Sequence, residues 1–465
     1  MVDTFIKNAF IITMDKDRRI LIDGAIAIQD GKILEIGRSS DLGAKYSDSK
    51  AVIDAKGKIL LPGLVNTHVH LFQTLLKSLG DDLKLFDWCV ECINPVVSAL
   101  SDEDCYYGAL AGCFEMIKSG ITCASEFHYV FTKLTLGDQI VKAMLDSGIR
   151  GIVSRGFLDT DAAGIVPNLV EKKEDALKRS EEFARNWNGK GNGRIHIGLA
   201  PGPPPWGSPE LLAGTRELSN RLGLPIAIHI AETLDEVESV KSLHKMRPIE
   251  FLNKVGILGP DVLAVHCVWL SDREIRILKG TGTKVSHNPV SNMYLASGIA
   301  PVTRMLEANI VVGLGTDGAA SNNALDMFET MKVAALLQKV SNLDPTALTA
   351  EKVLEMATID GAKALGLESE IGSIEVGKKA DLIIVDLKKM NTTPINRVVS
   401  QLVYCAKGEN VDTAIVDGNV IMEGRKLTKV DELSLIEKVQ KISDRLSERS
   451  GIRHLRDRKW QSSAY

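Results

Sequence analysis

Five histidines and one aspartate stand where they could bind a metal ion together. They end apolar runs of strand length, and they are His68, His70, His229, His266, His287 and Asp317. His68 and His70 are two residues apart, so on a strand both side chains point to the same face. Imidazoles and a carboxylate suit a borderline ion such as zinc or iron(II), with one position left for water. Such an ion lowers the pKa of water to roughly 7, which predicts hydrolysis at neutral pH.

The apolar runs that carry these residues recur eight times along the chain. The predicted strands cover 59–70, 120–126, 149–156, 194–201, 224–231, 262–268, 283–287 and 310–317. Each gap between them is long enough for a crossover helix, and two of the helices begin with a capping-box pattern, at Ser101 and at Ser271. Eight strand–helix units predict an α/β protein with a (β/α)8 TIM-type barrel, whose chemistry lies at the carboxyl ends of its strands.

Short alternating strands flank the predicted barrel on both sides. Residues 1–58 and 369–425 both show strand periodicity that is broken by Asp-Gly turn signals. We expect these two pieces to pair in one small β-sandwich domain beside a barrel that comprises residues 59–368. Residues 426–465 are charged and have a helical period, which predicts a C-terminal helix and tail.

One metal ion is predicted rather than two. Strand four, Arg194–Pro201, offers no lysine, the residue that can be carbamylated to bridge a second metal. A cyclic-amide hydrolase of the binuclear type is therefore disfavoured. The other major class of zinc-dependent nucleobase deaminase uses His-x-Glu together with Pro-Cys-x-x-Cys. No His-x-Glu occurs in this chain, so that class is excluded.

The composition is that of a globular protein without a nucleic-acid or membrane partner. Of 465 residues, 56 are Lys or Arg and 60 are Asp or Glu, so the formal charge is −4, whereas nucleic-acid binders usually carry a basic surplus. No run approaches the roughly 20 apolar residues that span a bilayer, and MVDTFIKNAF lacks the apolar region of a secretory signal. Seven cysteines are few for this length, which favours a reducing, cytoplasmic compartment. The pair Cys89-x-x-Cys92 is expected to pack in a helix or to line a pocket.

Several longer motifs resemble those of the amidohydrolase superfamily. They are LPGLVNTHVH at 61–70, HIAE at 229–232, HCV at 266–268, HNP at 287–289, SGIAP at 297–301, GTDG at 315–318 and GSIEVGKKAD at 372–381. Within the superfamily the chain is similar, over nearly its whole length, to the S-adenosylhomocysteine/methylthioadenosine deaminases and to the atrazine chlorohydrolase and melamine deaminase group. The resemblance implies a metal-dependent hydrolytic deaminase that removes an exocyclic amine from an aminated nitrogen heterocycle, such as an adenosine derivative.

The resemblance also implies a role for each residue of the site. The ion would be held by His68, His70, His229 and Asp317. Asp317 would accept a proton from the water, and Glu232 would protonate the ring nitrogen beside the attacked carbon. His266 would hold the water and stabilise the developing oxyanion, with a place among the ligands in triazine-type relatives. The amine would then leave as ammonia.

Substrate contacts are the part of the site where the chain departs from its relatives. The resemblance implies contacts from Trp88, Arg155, His287 and Ser321. Val97, however, stands where nucleoside deaminases carry a glutamate for the ribose hydroxyls, and Gly202 stands where they carry a histidine that contacts the purine. Losing the partner of a buried polar group costs about 1–3 kcal/mol, so both departures weaken a nucleoside pose.

Two further functions stay open at this point. The first is an s-triazine hydrolase of the melamine or atrazine type, in which an amine or a chloride leaves after the same attack. The second, of another class, is a catalytically inactive barrel used for assembly; such a protein should have lost ligands, whereas this chain keeps all of them. The sequence does not determine the heterocycle, the choice between zinc and iron(II), or the number of subunits. Relatives are commonly homo-oligomers, and we expect one here.

Overall fold

The computed structural model describes residues 2–161 and 165–456, and their strands form two sheets. The first strands along the chain are β1 (Thr4–Ile12), β2 (Ile20–Gln29), β3 (Lys32–Arg38), β4 (Ala51–Asp54) and β5 (Ile59–Pro62). The next are β6 (Leu64–Val69), β7 (Ile121–His128), β8 (Arg150–Phe157), β9 (Ile195–Pro201), β10 (Ile226–Ile230), β11 (Val262–His266), β12 (Lys284–His287) and β13 (Val312–Leu314). The last are β14 (Leu382–Val385), β15 (Val411–Val416), β16 (Asn419–Glu423) and β17 (Lys426–Leu427).

Helices connect most of these strands. As far as β10 they are α1 (Ser39–Leu42), α2 (Leu85–Trp88), a π-helical turn (Cys89–Ile93), α3 (Asn94–Ala99), α4 (Asp102–Lys118), α5 (Leu134–Ser147), α6 (Lys173–Trp187) and α7 (Pro209–Leu222). Between β10 and β14 they are α8 (Leu234–His244), α9 (Pro248–Val255), α10 (Asp272–Thr281), α11 (Pro289–Tyr294), α12 (Val302–Glu307), α13 (Met327–Asn342), α14 (Ala350–Met356) and α15 (Ile359–Leu365). The remaining ones are α16 (Val398–Tyr404) and α17 (Glu432–Arg449), and 3-10 turns cover Leu71–Leu76, Pro167–Leu169, Gly408–Asn410 and Arg453–Leu455.

The two predicted capping boxes are present, at the starts of α4 and α10. At α4 the Asp104 N–H donates to Ser101 Oγ over 3.3 Å, and the Ser101 N–H donates to the Asp104 carboxylate over 2.7 Å. Ser271 and Glu274 repeat this exchange at α10, over 3.3 and 2.9 Å. Each box pairs backbone groups that the first turn of a helix leaves without a partner.

The strands β6 to β13 form a parallel sheet in which each strand pairs with the next along the chain. Its two edges meet where β6 and β13 end. There the Asp317 N–H donates to the His68 carbonyl over 3.0 Å. The Asn66 amide donates to Thr316 Oγ1 over 2.7 Å and accepts from the Thr316 N–H over 3.0 Å. The predicted (β/α)8 barrel is confirmed.

The predicted first strand, 59–70, is two strands in the structure. Its first part, β5, pairs with β1 and β14 of the other sheet, and the chain then enters the barrel at Gly63. A Cβ at Gly63 would lie 2.0 Å from Thr122 Oγ1, so no side chain fits at this crossing. Both parts are buried, and apolar residues stand on both sides of Gly63, which is why periodicity alone does not reveal the junction. We propose that the boundary between the small domain and the barrel lies at Gly63.

The second sheet combines strands from both ends of the chain, as predicted. Its order is β17-β16-β15-β14-β5-β1-β2-β3, with β4 paired to β1. Side chains of both halves share one buried apolar cluster, to which Ile26 of β2 and Ile384 of β14 both belong. The Ile33 N–H also donates to the Lys378 carbonyl over 2.9 Å, which joins the N-terminal strands to the segment before β14.

The predicted C-terminal helix is α17, which packs on the barrel. Ser443 Oγ donates to the Leu75 carbonyl over 2.6 Å, and Arg449 bonds to the Asp104 carboxylate of α4. The end of the predicted tail, 457–465, lies outside the described residues. Within the described ranges, no helix is both long enough and apolar enough to cross a membrane.

A buried ion pair connects the barrel to the small sheet. Arg150, at the start of β8, donates from Nε and from a terminal nitrogen to the two carboxylate oxygens of Asp381, over 2.6 and 3.1 Å. The same carboxylate accepts from the Asp417 N–H over 2.8 Å. Both side chains of the pair are fully enclosed, at 0 % and 1 % exposure.

We expect Asp381→Ala to lower the free energy of unfolding by about 3–5 kcal/mol, because it leaves the Arg150 charge buried without its partner. Urea denaturation followed by circular dichroism measures this loss. The control is Glu103→Ala, which removes partly exposed ion pairs to Lys438 and Arg445 and should cost no more than about 1 kcal/mol. Equal losses in the two variants would contradict the role assigned to the buried pair.

Candidate active site

The ends of β6, β10, β11 and β13 bring the predicted metal ligands together. His68 Nε2 and His70 Nε2 lie 3.1 Å apart, and Asp317 Oδ1 lies 3.5 and 3.3 Å from these two atoms. Ligand atoms of His68, His70 and His229 lie within 4.8 Å of one another, and the same holds for those of His68, His266 and Asp317. One point at the mouth of the barrel is therefore surrounded by imidazoles and one carboxylate.

This arrangement fits a divalent cation. His229 Nε2 is buried and has no hydrogen-bond partner in the described part of the chain, a costly state for a polar atom. Burial and the neighbouring imidazoles hold the pKa of His229 well below its ordinary value, and burial together with His68 lowers the pKa of His70 to about 3. Both rings are therefore neutral, which is the form that binds metals. Three imidazoles and a carboxylate are a donor set that zinc and iron(II) share.

Hydrogen bonds from outside the cluster fix the orientation of its rings. His70 Nδ1 donates to the Phe127 carbonyl, which leaves Nε2 as the ligand atom. His266 Nδ1 donates to Asn292 Oδ1 over 2.8 Å. His266 Nε2 then faces two carboxylates, at 3.6 Å from Glu232 Oε2 and 3.7 Å from Asp317 Oδ2. Partners of this kind set both the tautomer and the direction of a ligating histidine.

The chain turns sharply where these strands end. Ala231, His266 and Asp317 have φ angles of 52°, 73° and 61°, in the left-handed region that residues other than glycine rarely adopt. Such conformations persist only where the surrounding contacts hold them. At Ala231 the contact comes from Glu236, whose carboxylate accepts from the N–H groups of Ala231 and Glu232 over 2.7 and 2.8 Å.

Glu232 is buried beside the predicted metal ligands, and both its backbone and its carboxylate are hydrogen-bonded. Glu236 binds its backbone, and Ser297 Oγ donates to Glu232 Oε1 over 3.1 Å. Burial raises the pKa of the Glu232 carboxyl, although the His266 ring opposes the shift. A carboxyl group with a raised pKa is suited to hold a proton and to donate it near neutral pH.

Asp317 shows the opposite shift. Burial by itself would raise its pKa, but the hydrogen bond with His68 and the neighbouring imidazoles of His68 and His266 hold the pKa well below its ordinary value. For His266, burial would lower the pKa, but the carboxylates of Glu232 and Asp317 raise it. Two carboxyl groups of one site are thus driven apart in pKa, which separates a proton donor from a proton acceptor.

A largely apolar cavity begins beside Glu232 and His229. Its apolar wall consists mainly of Leu85, Ile93, Val97, Phe127, Val130, Phe157, Leu158, Ile165, Leu169, Ala200, Pro203 and Trp206. Val97 and Gly202, the two departures noted in the sequence, both lie in this wall. Cys89 lines the cavity from the π-helical turn, and Cys92 is buried in the core.

Comparison with known proteins identifies the family of this chain. The model of the amidohydrolase family matches residues 59–421. The chain belongs to the amidohydrolase family. It is 45% identical over 450 residues to the 5′-deoxyadenosine deaminase of Methanosarcina acetivorans, covering 97% of this chain and 100% of that protein. It is 43% identical over 427 residues to the 5-methylthioadenosine/S-adenosylhomocysteine deaminase of Carboxydothermus hydrogenoformans, covering 92% and 94%.

Solved structures agree with this assignment. An adenosine deaminase from Xanthomonas campestris with bound zinc superposes with a TM-score of 0.89 at 31% identity, covering 96% of this chain and 99% of that one. The atrazine chlorohydrolase from Arthrobacter aurescens in complex with zinc superposes with a TM-score of 0.88 at 24% identity, covering 95% and 100%, which shows the shared fold alone. The predicted superfamily and the predicted hydrolase of C–N bonds are confirmed, and the site takes a divalent metal ion.

None of the four predicted substrate contacts of this amidohydrolase is among the described residues that line the cavity. Trp88 is buried, and its Nε1 donates to the Ala320 carbonyl over 3.2 Å. Arg155 is fully buried, and its guanidinium is bound to the Glu171 carboxylate over 2.6 and 2.7 Å. The structure therefore does not bring the charge of Arg155 to the cavity.

His287 and Ser321 are also buried. His287 ends β12, and both of its ring nitrogens lack partners among the residues described. Ser321 Oγ is bonded to Ser291 Oγ at 3.1 Å. Neither of them, nor Trp88 or Arg155, is among the described residues that line the cavity. Their contacts with a substrate stay predictions.

Sequence reasoning missed the two residues that hold Glu232. Thr233-x-x-Glu236 has the pattern of a helix cap, and Thr233 Oγ1 does accept from the Glu236 N–H over 3.2 Å. That pattern does not reveal that the Glu236 carboxylate reaches back to the Glu232 backbone. Ser297 is 65 residues away from Glu232 along the chain, and no local signal connects the two.

We expect His229→Ala to weaken metal binding so far that the ion is lost on dialysis, because the variant lacks one of the four predicted ligands. Zinc content after loading and dialysis, measured by atomic emission, should fall from about one ion per chain to about a tenth of that. The control is His244→Ala on α8, where the ring stacks on Phe251 at 3.9 Å. Full zinc content in both variants would contradict the assignment of His229 as a ligand.

Proposed function

We propose that this amidohydrolase is a hydrolytic deaminase of adenine nucleosides whose 5′ end is apolar, the class that includes 5′-deoxyadenosine and 5′-methylthioadenosine. The observation that carries the proposal is the apolar cavity that begins at Glu232 and His229. A flat ring bound there reaches the proton donor, and its substituent meets hydrocarbon walls. The names of the two deaminase relatives above, at 45% and 43% identity, support the same class of substrate.

The residues of the site divide the reaction among them. His68, His70, His229 and Asp317 would hold a divalent ion, which would lower the pKa of water to about 7 and so supply a nucleophile at neutral pH. Asp317, whose pKa is low, accepts the proton of the attacking water. Glu232, whose pKa is raised, donates a proton to the ring nitrogen beside the attacked carbon.

His266 acts between these two carboxyl groups. Its Nε2 lies 3.6 Å from Glu232 Oε2 and 3.7 Å from Asp317 Oδ2, and the two charges favour its protonated form. A positive imidazolium there stabilises the oxyanion that develops on the attacked carbon. The proton taken by Asp317 passes to the amine, which leaves as ammonia when its bond to carbon breaks. The remaining hydroxyl proton returns to Glu232 as the carbonyl of the product forms.

A second candidate is an s-triazine hydrolase, and one observation favours it. Val97 and Gly202 in the cavity wall give a ribose neither an acceptor for its hydroxyls nor a side chain at the strand-four end. A bare ring with alkyl substituents has no hydroxyls to satisfy. In that case an amine or a halide leaves from the same attack.

We also propose zinc as the ion, since the adenosine deaminase relative was solved with bound zinc. The seven cysteines are all free thiols, which supports a reducing, cytoplasmic compartment. The family resemblance supports a homo-oligomer. The partner that the site itself calls for is a small heterocyclic molecule.

We expect zinc-loaded protein to release ammonia from 5′-deoxyadenosine and 5′-methylthioadenosine, with kcat/KM at least about tenfold above that for melamine, because a purine carries the second ring that the apolar walls can bury. A coupled ammonia assay on zinc-loaded and iron(II)-loaded protein measures this, with S-adenosylhomocysteine, adenosine and ammeline completing the panel. Ammonia from the s-triazines alone would favour the second candidate. No release from any compound would overturn the deaminase assignment.

We expect Glu232→Gln to lower kcat by about 10²- to 10⁴-fold, since an amide cannot transfer the proton. Asp317→Asn should abolish turnover and leave the fold intact. The matched control is Glu217→Gln, an exposed position on α7, which should keep the wild-type rate. Circular dichroism melting checks that all variants are folded, and a folded Glu232→Gln variant with wild-type kcat would refute the role of Glu232.

A further inference from the structure

The indole of Trp206 contains a buried hydrogen-bond donor without a partner. Trp206 lines the cavity, and its Nε1 atom is buried and unpaired within the described ranges. The three other tryptophans that the structure describes all donate: Trp88 to Ala320 O over 3.2 Å, Trp187 to Asp138 Oδ1 over 2.5 Å and Trp269 to Ser297 O over 2.7 Å. Buried indole N–H groups normally find a partner, so Trp206 is the exception among the described tryptophans.

The segment that carries Trp206 is firmly held. The Trp206 N–H donates to the Pro203 carbonyl over 2.7 Å, and the Trp206 carbonyl accepts from the N–H groups of Asp159 and Thr160, both over 3.3 Å. The indole also packs against the Phe86 ring, with centroids 5.7 Å apart. Because Trp206 lines the cavity, an occupant of the cavity is a candidate partner for this N–H.

Gly202 packs closely against Trp206, which leaves little room for a side chain at position 202. A Cβ at Gly202 would lie 3.0 Å from the Leu158 Cβ and 3.4 Å from the Trp206 Cβ. A larger side chain at 202 would therefore press on both neighbours. The polar contact that a side chain at 202 could make with a ring is lost in this chain, and the indole of Trp206 occupies the adjoining part of the cavity wall.

We propose that Trp206 Nε1 donates a hydrogen bond to an acceptor nitrogen of the substrate's heterocycle, in place of the contact that Gly202 cannot make. This inference rests on the proposed function and adds a binding residue to it. Glu232 protonates the ring nitrogen beside the attacked carbon, and Trp206 binds a second acceptor of the same ring system. Two donors fix a flat ring in its plane, whereas apolar walls alone do not fix its rotation.

Trp206→Phe tests the contact, because it keeps an aromatic ring in the wall and removes the N–H. We expect KM for 5′-methylthioadenosine to rise about 5- to 100-fold in the zinc holoenzyme, the size of one lost hydrogen bond to a buried group, while kcat stays within about twofold because the contact is equal in ground and transition states. The control is Trp187→Phe on α6, which loses the bond to Asp138 and should keep both constants. An unchanged KM in Trp206→Phe would overturn the proposal.

Deaza analogues identify the acceptor. The 3-deaza and 7-deaza analogues of 5′-methylthioadenosine each replace one ring nitrogen with C–H. Calorimetric binding is measured in a Glu232→Gln background, which is expected to turn over at least about 100-fold more slowly and which keeps the metal ligands. One analogue should bind about 5- to 100-fold more weakly than the parent when Trp206 is present, and should bind like the parent in Trp206→Phe. A loss of the same size in both backgrounds, or no loss with either analogue, would overturn the contact.

These measurements separate the two proposals. If the wild-type holoenzyme deaminates adenine nucleosides and Trp206→Phe has the same KM, the deaminase function stands and only the Trp206 contact is overturned. If the wild-type holoenzyme neither binds nor deaminates them, the proposed function is refuted and the contact is refuted with it.

Discussion

The meeting of β6 and β13 is the constraint on which the site depends. The hydrogen bond from the Asp317 N–H to the His68 carbonyl, at 3.0 Å, joins the first and last strands of the barrel at the depth where the ligands lie. Together with the two hydrogen bonds between Asn66 and Thr316, this contact connects the strands that carry His68 and Asp317. The closure thus aligns the edges and assembles the ligand set in one step, and the left-handed backbone of Asp317 is part of it.

The closure of the barrel also brings together the side chains that set one another's charge. Buried imidazoles are held neutral by desolvation, whereas His266 and Asp317 keep opposite charges because each faces the other. A cation suits the position since it pairs with His229 Nε2, which is otherwise buried without a partner among the described residues. Glu232 is outside the predicted ligand set, and burial raises the pKa of its carboxyl group. One enclosed site therefore contains two carboxyl groups, Asp317 with a lowered pKa and Glu232 with a raised pKa.

In the proposed function, selectivity for the substrate arises from a different set of residues, on the loops and helices beyond the barrel strands. The π-helical turn places Cys89 in the cavity wall, α3 contributes Val97, and the segment after β9 contributes Gly202 and Trp206. These elements lie outside the barrel sheet, so their side chains can differ among relatives while the ligands stay the same. The residues proposed for the catalytic step and those proposed to select the substrate ring thus lie in separate parts of the chain.

The sequence alone determined the barrel, its eight strands and the cluster of histidines at their ends, because hydrophobic periodicity and residue spacing are local properties that the fold preserves. The sequence does not reveal the division of 59–70 at Gly63, since apolar residues stand on both sides of that glycine. Three further features follow only from tertiary packing: Arg155 is bound to Glu171, Ser297 reaches Glu232 across 65 residues, and the Trp206 N–H has no partner among the described residues. Contacts between residues far apart in the chain depend on how helices and loops pack, and no local pattern records that packing.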